Sequence, residues 1–587
     1  MLKKLLNIFT FISLFFIICA LLISQQINYE IITVSSVNNN ETIPIVLRVY
    51  NASGLLDKTK IRDLTLTSDS LNDIANIKIL RGAGCTLYKI NEFNDFSISA
   101  DNKLLKTITI DTITKAAIYG GNLIENEIWI DTVHYIIKEE LIIPEDKTLR
   151  IKEGVKVLID PLVNIKVNGN IICEGTKTKP IIFKSSDENE GWGGIEVNNE
   201  SSFEYIFFIN GGADSSRKFG HSNSQPVVKM FETEAEFNNC YFIYNPGKAF
   251  GTVRSKVYLD SCLISNCDTG GEFAESYVEL KNTYIMNTPS DDTIFVDDDN
   301  DGCYFNSLYW NIEEASIIDN CVFINGMDDA IDHNGAWLDV RNCWIEGFMH
   351  EGIACSNKNK VNVFNTVVLD CEQGIEAGYG KPDVNVNHCV LFNNDVGLRF
   401  GDSYDWGCEG HITIKNSILY NNNDNIHNFD LETEAPVNDA IDISYSISND
   451  PEYDTLPNCY NYQPEFDELY YLLENSAGKG LADDESDLGL IKSTTFINSN
   501  INSHDDLAVY PNPLNQKTKI LIKLMKNRVV TLIVYDSFGR EVARLFQGEL
   551  CEGDHNFTFN RNGLTAGIYF YQLRTGNEIL TRKMIIK

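Results

Sequence analysis

Acidic side chains recur at regular places through the middle of this sequence. Asp328 and Asp329 stand side by side, Asp332 follows within one turn of chain, and Glu351 and Glu376 come later, with Arg399 beyond them. Stacked on one surface, such carboxylates could hold a hard cation such as Ca2+. A neighbouring basic residue could then take a proton, or two facing carboxylates could serve glycoside hydrolysis. Asp328, Asp329 and Arg399 are the candidate catalytic residues on this reading, and Asp332, Glu351 and Glu376 the candidate binding residues. Tyr404 and Trp406 join them as rings that could stack on sugars. A further acidic run, 296–302, puts Asp297, Asp299 and Asp301 on alternate positions before Gly302, like the first half of a calcium loop. Leu308 stands where that loop needs a bidentate Glu, which excludes an EF-hand, so a metal at Asp297, Asp299 and Asp301 needs further ligands from neighbouring segments. The same acids also read as a solvated face, since the chain must place a net charge of -35 somewhere.

That charge comes from 83 acidic against 48 basic residues and repels phosphate backbones, so no nucleic-acid partner is expected. There are 15 Cys and 9 His, yet no CxxC, HExxH or zinc-spaced quartet occurs. A length of 587 residues calls for several structural units, and 43% apolar residues supply a large core.

The elements that must position the acids show as a repeat. VYLDSCLISN (257–266), SIIDNCVFIN (316–325), LDVRNCWIEG (338–347), VNVFNTVVLD (361–370) and VNVNHCVLFN (384–393) are variants of one strand, turn, strand pattern. Its central small residue recurs at Cys240, Cys262, Thr283, Cys321, Cys343, Thr366, Cys389 and Ser417, mostly 21 to 23 residues apart. Asn239, Asn282, Asn320, Asn342, Asn365 and Asn416 precede it, as expected for a sharp bend that needs a left-handed residue. Alternation around the bend, as in Val361, Val363, Val367 and Leu369, predicts one side inside and one outside. A further strand carries Ile331, Ile353, Ile375 and Leu398 in register, with Asp332, Glu376 and Arg399 pointing outward. His333 and His350 are expected at the surface or at corners, and the Cys column inside, where small polarizable residues pack well.

Three short strands per coil of about 22 residues make a parallel β-helix. The pattern resembles the right-handed parallel β-helix family, the fold of pectate lyases, polygalacturonases and many bacterial surface proteins. For that family the resemblance implies a groove along one strand column, with Ca2+ and a base in its lyases. Asp328-Asp329 resembles the paired Asp of polygalacturonases, but the accompanying Gly-His-Gly and Arg-Ile-Lys elements are missing, as are the pectate lyase signatures. The β-helix is assigned to 133–492, and 25–132 to a small β-rich region or cap.

Beyond a polar linker at 493–505 the strands lengthen. Tyr510-Pro511-Asn512-Pro513, Tyr535-Asp536 with Gly539-Arg540, and Gly567-Ile568-Tyr569 punctuate a β-sandwich of about seven strands over 506–587. This segment resembles the type A C-terminal sorting domain of the type IX secretion system of Bacteroidetes, which implies passage across the outer membrane and contact with that machinery through 506–587. At the other end, Lys3 and Lys4 precede an apolar run, Leu5–Ile23, so 1–24 reads as an export signal. The expectation is an all-β protein, a right-handed parallel β-helix followed by a C-terminal β-sandwich. It is a secreted or surface-displayed monomer that interacts with polysaccharide, with a lyase or hydrolase and a plain adhesin as alternatives.

Overall fold

A computed structural model describes residues 27–492 and 506–586, apart from 39–40, 69–74, 91–93, 111–112, 114, 290–298, 308–313, 402–406, 430–433, 452, 454, 511–515, 525–527, 537–539, 551–552, 562 and 576–577. Asp297, Tyr404, Trp406 and the export signal lie outside the described residues. The chain divides into two compact units, Met1–Lys492 and Ser493–Lys587. Among the described residues no helix is long and apolar enough to cross a membrane.

The first unit is a parallel β-helix with three sheets. The first sheet stacks 13 strands, from Glu127–Trp129 to Ile441–Ser444. The second and third alternate along the chain, for example Trp344–Phe348 in the second and Glu351–Asn357 in the third. Register is kept coil to coil: Ile331 pairs with Ile353, Ile353 with Ile375, and Ile375 with Leu398. All four are fully buried.

The corner between the first and second sheets follows the predicted chemistry. Asn239, Asn282, Asn320, Asn342, Asn365 and Asn416 all have positive φ, between 49° and 57°. Their amides cross-link the coils: Asn320 Nδ2 donates to Asn282 Oδ1, and Asn365 Nδ2 to Asn342 Oδ1, each at 2.8 Å. His388 takes the same corner at φ 53°. The adjacent cysteines are buried and free, and their thiols donate to carbonyls of the coil below, as Cys262 Sγ does to Phe237 O at 3.3 Å. At the start of the solenoid Trp129 stacks on Tyr135, centroids 4.3 Å apart, and closes the core.

Two expectations need correction. Val367 and Leu369 do not share the inward side with Val361 and Val363. They face outward from the second sheet and are still buried, because another layer covers them. Over the earlier coils, as far as Trp344, that layer is the N-terminal region, built from a three-stranded sheet (Asn28–Thr33, Thr42–Tyr50, Ala83–Lys89) and a five-stranded one containing Arg62–Ser68 and Phe96–Ala100. It lies along the flank of the solenoid, where Tyr241, Tyr284 and Trp344 join its core. Residues Phe466 to Leu490 cover the rest of the flank, against Val390, Ile418 and Ile447. His333 is the second correction: it points into the core with no exposure. Its Nε2 donates to Ala336 O at 2.5 Å and its Nδ1 accepts from the Ser356 N–H at 3.3 Å, which satisfies both ring nitrogens. Burial pushes its pKa down to about 4, so the ring is neutral.

The second unit pairs a three-stranded antiparallel sheet (Asp506–Tyr510, Lys517–Leu524, Gly553–Asn560) with a four-stranded one (Glu541–Leu550, Arg528–Asp536, Gly567–Thr575, Glu578–Ile586). Ile520, Ile522, Leu532, Val534, Tyr571 and Leu573 fill the space between them. This is the expected seven-stranded sandwich.

Candidate functional site

With the second sheet covered, the third is where outward side chains form a polar row. Register places Lys229, Gly251, Glu272, Tyr304, Asp332, Ala354, Glu376, Arg399 and His427 in one line, each on the next coil. Neighbouring coils are about 4.8 Å apart, because they pair as strands.

Carboxylates converge in the middle of this line. Asp301, Asp329 and Asp332 bring one oxygen each within 4.8 Å of one another, and Asp328, Asp329 and His350 form an overlapping group. Asp301 and Asp329 come from the corner that opens the third-sheet strand in successive coils. Asp329 N–H donates to Asp301 Oδ1 at 3.4 Å, and Glu351 N–H to Asp329 Oδ1 at 2.8 Å, so each coil's carboxylate is tied to the next coil's backbone. Burial, reinforced by the facing acids, pushes the carboxyls of Asp301, Asp329 and Asp332 well above their ordinary range. Glu351 is raised by burial too, with His350 opposing.

His350 Nδ1 lies 2.6 Å from Glu351 Oε2, 3.3 Å from Asp328 Oδ1 and 3.5 Å from Asp329 Oδ1. Hydrogen bonds to Asp328, Asp329 and Glu351 raise its pKa far above the ordinary value, so it is an imidazolium at neutral pH. Sequence reasoning set this residue aside, although a usable signal was present. His350-Glu351 follows Asp328-Asp329 by 22 residues, one coil, which forces the two pairs together.

Arg399 stands apart from this cluster, three register steps from Asp332. Its Nε donates to Gly401 O at 2.9 Å and its Nη1 to Gln373 Oε1 at 3.2 Å, with Glu376 Oε2 at 3.8 Å. The structure therefore brings together Asp301, Asp328, Asp329, Asp332 and Glu351, and separately Glu376 with Arg399. Asp299 turns toward the ring of His221, 3.3 Å away. The grouped carboxylates and imidazole could hold a divalent metal. The all-oxygen set of Asp301, Asp329 and Asp332 suits a hard cation, whereas His350, already protonated by its neighbours, competes with a metal for the same oxygens.

Two segments match known families. Residues 508–587 match the secretion system C-terminal sorting domain and 121–218 the pectate-lyase like beta helix domain. No curated protein is similar to this chain. Among solved structures, a mutant of the PL6 family alginate lyase AlyGC is 12% identical, covers 64% of this chain and has a TM-score of 0.38; the match spans 54% of that lyase. The periplasmic alginate epimerase AlgG is 10% identical, with 51% of this chain and 83% of that one covered and a TM-score of 0.22. A tailspike protein of E. coli bacteriophage HK620, in complex with a pentasaccharide, is 10% identical over 81% of this chain and 86% of its own, with a TM-score of 0.25. The chain is thus a parallel β-helix protein carrying a type IX sorting domain. It is exported through the periplasm to the cell surface or beyond.

Proposed function

We propose that the exported protein binds polysaccharide along its third sheet. The observation that supports this reading is the contrast between two outward faces of one solenoid. The second sheet is sealed by apolar packing, while the third carries a polar row in which Lys229, Asp332, Arg399 and His427 are partly exposed and Glu272, Tyr304 and Glu376 are buried between them. A polymer of ring hydroxyls, extended along the solenoid axis, meets Lys229, Asp332, Arg399 and His427 as the partly exposed hydrogen-bonding groups of this row. In this reading Ca2+ sits among Asp301, Asp329 and Asp332, where it would neutralise the crowded carboxylates and offer open positions to sugar oxygens.

Turnover of the bound glycan is the second reading. It is favoured by the Asp328, Asp329, Glu351 and His350 cluster, in which Asp329 and Glu351, both with raised pKa, lie against a proton-bearing ring. Asp329 is then the acid, and Arg399 assists only from a distance of three coils.

Affinity electrophoresis of the full-length exported protein in gels containing neutral or anionic polysaccharides tests the first reading. Retardation in at least one gel is expected, weakened about tenfold, or ~1.4 kcal/mol, by Asp332→Asn combined with Glu376→Gln. Unretarded migration in every gel retires the proposal, and release of reducing or unsaturated ends would favour the second reading.

A further inference from the structure

In a chain with a net charge of -35, cations converge at one place on the groove face. A cleft of about 410 Å3 is lined by Lys166, Arg217, Lys218 and Lys229 against only two acids, Glu140 and Glu196. Lys229 belongs to the same outward row as Asp332 and Glu376, upstream of them. Arg217 and Lys218 come from an insert, 210–225, between a second-sheet strand ending at Ile209 and a third-sheet strand starting at Pro226.

This insert is built, not loose. Its far side is pinned by Glu272, which is 3% exposed and accepts from the N–H of His221 at 2.7 Å, the N–H of Ser222 at 2.9 Å and the Ser222 hydroxyl at 3.0 Å. The fully buried Lys248 pairs with the same carboxylate and donates to Phe219 O at 2.6 Å. A Cβ on Gly220 would lie 1.5 Å from Glu272 Oε2, and its φ is +69°, so only glycine fits there. Near its end, Gln225 Nε2 donates to buried Asn164 Oδ1 at 2.7 Å. A buried ion pair adds little to net stability, but this one fixes the segment that carries Arg217 and Lys218 over the sheet.

Resting on the glycan-binding reading, we infer that the cleft of Lys166, Arg217, Lys218 and Lys229 is an anion subsite, and that the polymer this protein recognises carries carboxylate or sulfate groups. The overall charge repels such a polymer at long range, so local cations must offset that repulsion and set where along the groove the chain lies. Arg217 is largely neutralised, by Glu140 at 3.1 Å and Asp214 at 3.5 Å, and Lys166 partly, by Glu196 at 3.2 Å. Lys218 and Lys229 carry the greater share.

The test is retardation of the full-length protein in gels containing neutral dextran, dextran sulfate or a polyuronate, at two ionic strengths. The expected result is retention by an anionic polymer that falls with added salt and drops at least tenfold in Lys218→Ala/Lys229→Ala, with an unchanged melting temperature. Preference for dextran sulfate over polyuronate assigns the group as sulfate, and the reverse as carboxylate. Retention by dextran alone, or full retention of the double variant by the anionic polymer, overturns the subsite and leaves the glycan-binding reading intact. Absence of retention by all three, and by the wider panel above, overturns both. Should the double variant melt lower, Lys229→Gln alone, expected to weaken retention about threefold, serves in its place.

Discussion

Arg81 of the N-terminal region and Glu346 of the second sheet form a two-pronged ion pair across 265 residues of sequence, with Nε to Oε2 at 2.6 Å and Nη2 to Oε1 at 3.1 Å. Both are mostly shielded from water, and the guanidinium lies 4.2 Å above the Trp344 ring. The pair marks where the N-terminal layer grips the solenoid, with which it shares one apolar core.

Arg81→Ala leaves Glu346 shielded without its cation and removes the contact with Trp344. The expected loss is about 2–4 kcal/mol, read from chemical denaturation. A loss below about 0.5 kcal/mol would mean the layer is held by apolar packing alone.

A second grip depends on pH. Burial acts to raise the carboxyl of Glu41, but Lys184 and Lys156, both 2.9 Å away, outweigh it and hold the pKa at about 2 instead of 4.5. A depressed pKa gives stability that is complete above about 4.5 and is lost as pH falls toward about 2. The wild type should lose on the order of 3 kcal/mol across that window, and Glu41→Gln should flatten that part of the profile. Parallel profiles for the two proteins would refute the linkage.

Asn342 holds φ 57° and donates to Asp319 Oδ1 at 2.8 Å while accepting from Asn365. Asn342→Leu keeps the strain and loses both bonds, so unfolding should come about 1–3 kcal/mol more easily, whereas Asn342→Gly should cost less. Equal effects of Leu and Gly would deny the left-handed corner its role.

Deletion of 506–587 removes one compact unit and leaves the other whole. The β-helix should fold but accumulate in the periplasm, as followed by cell fractionation and protease shaving. Normal delivery of the shortened chain to the surface would show that export does not run through this domain.

Ca2+ at a hundredfold its dissociation constant should stabilise the first unit by about 2.7 kcal/mol, and Asp301→Asn should abolish the gain. A melting temperature indifferent to both Ca2+ and chelator would remove metal from the groove.

The coils were legible because the residues that make them do so locally. An Asn that tolerates the left-handed corner and a small residue that turns inward recur at coil length, and Ile331, Ile353 and Ile375 keep the third sheet in step. The covered flank was not read, although it left a trace. Val367, Val368 and Leu369 are apolar in succession, as strands buried on both faces are, and strict alternation was assumed instead. No local pattern could show that Arg81 meets Glu346 or that Lys248 meets Glu272, since these pairings exist only once the coils are stacked. His333 misled because a polar residue was assigned to the surface, when Ala336 and Ser356 satisfy both of its nitrogens inside.

The N-terminal layer touches the solenoid from Lys156 and Lys184 near its start, through Ser261 and Asn320, to Glu346. A bare stack of coils is a spring: each turn answers only to its neighbours, so it can fray from either end one turn at a time. A stiff rail bonded along its side makes it a beam, in which a pull on one coil is shared by those many turns away. An exported protein loaded along its length by a polymer should therefore yield all at once, at a force set by the rail, and not unwind coil by coil.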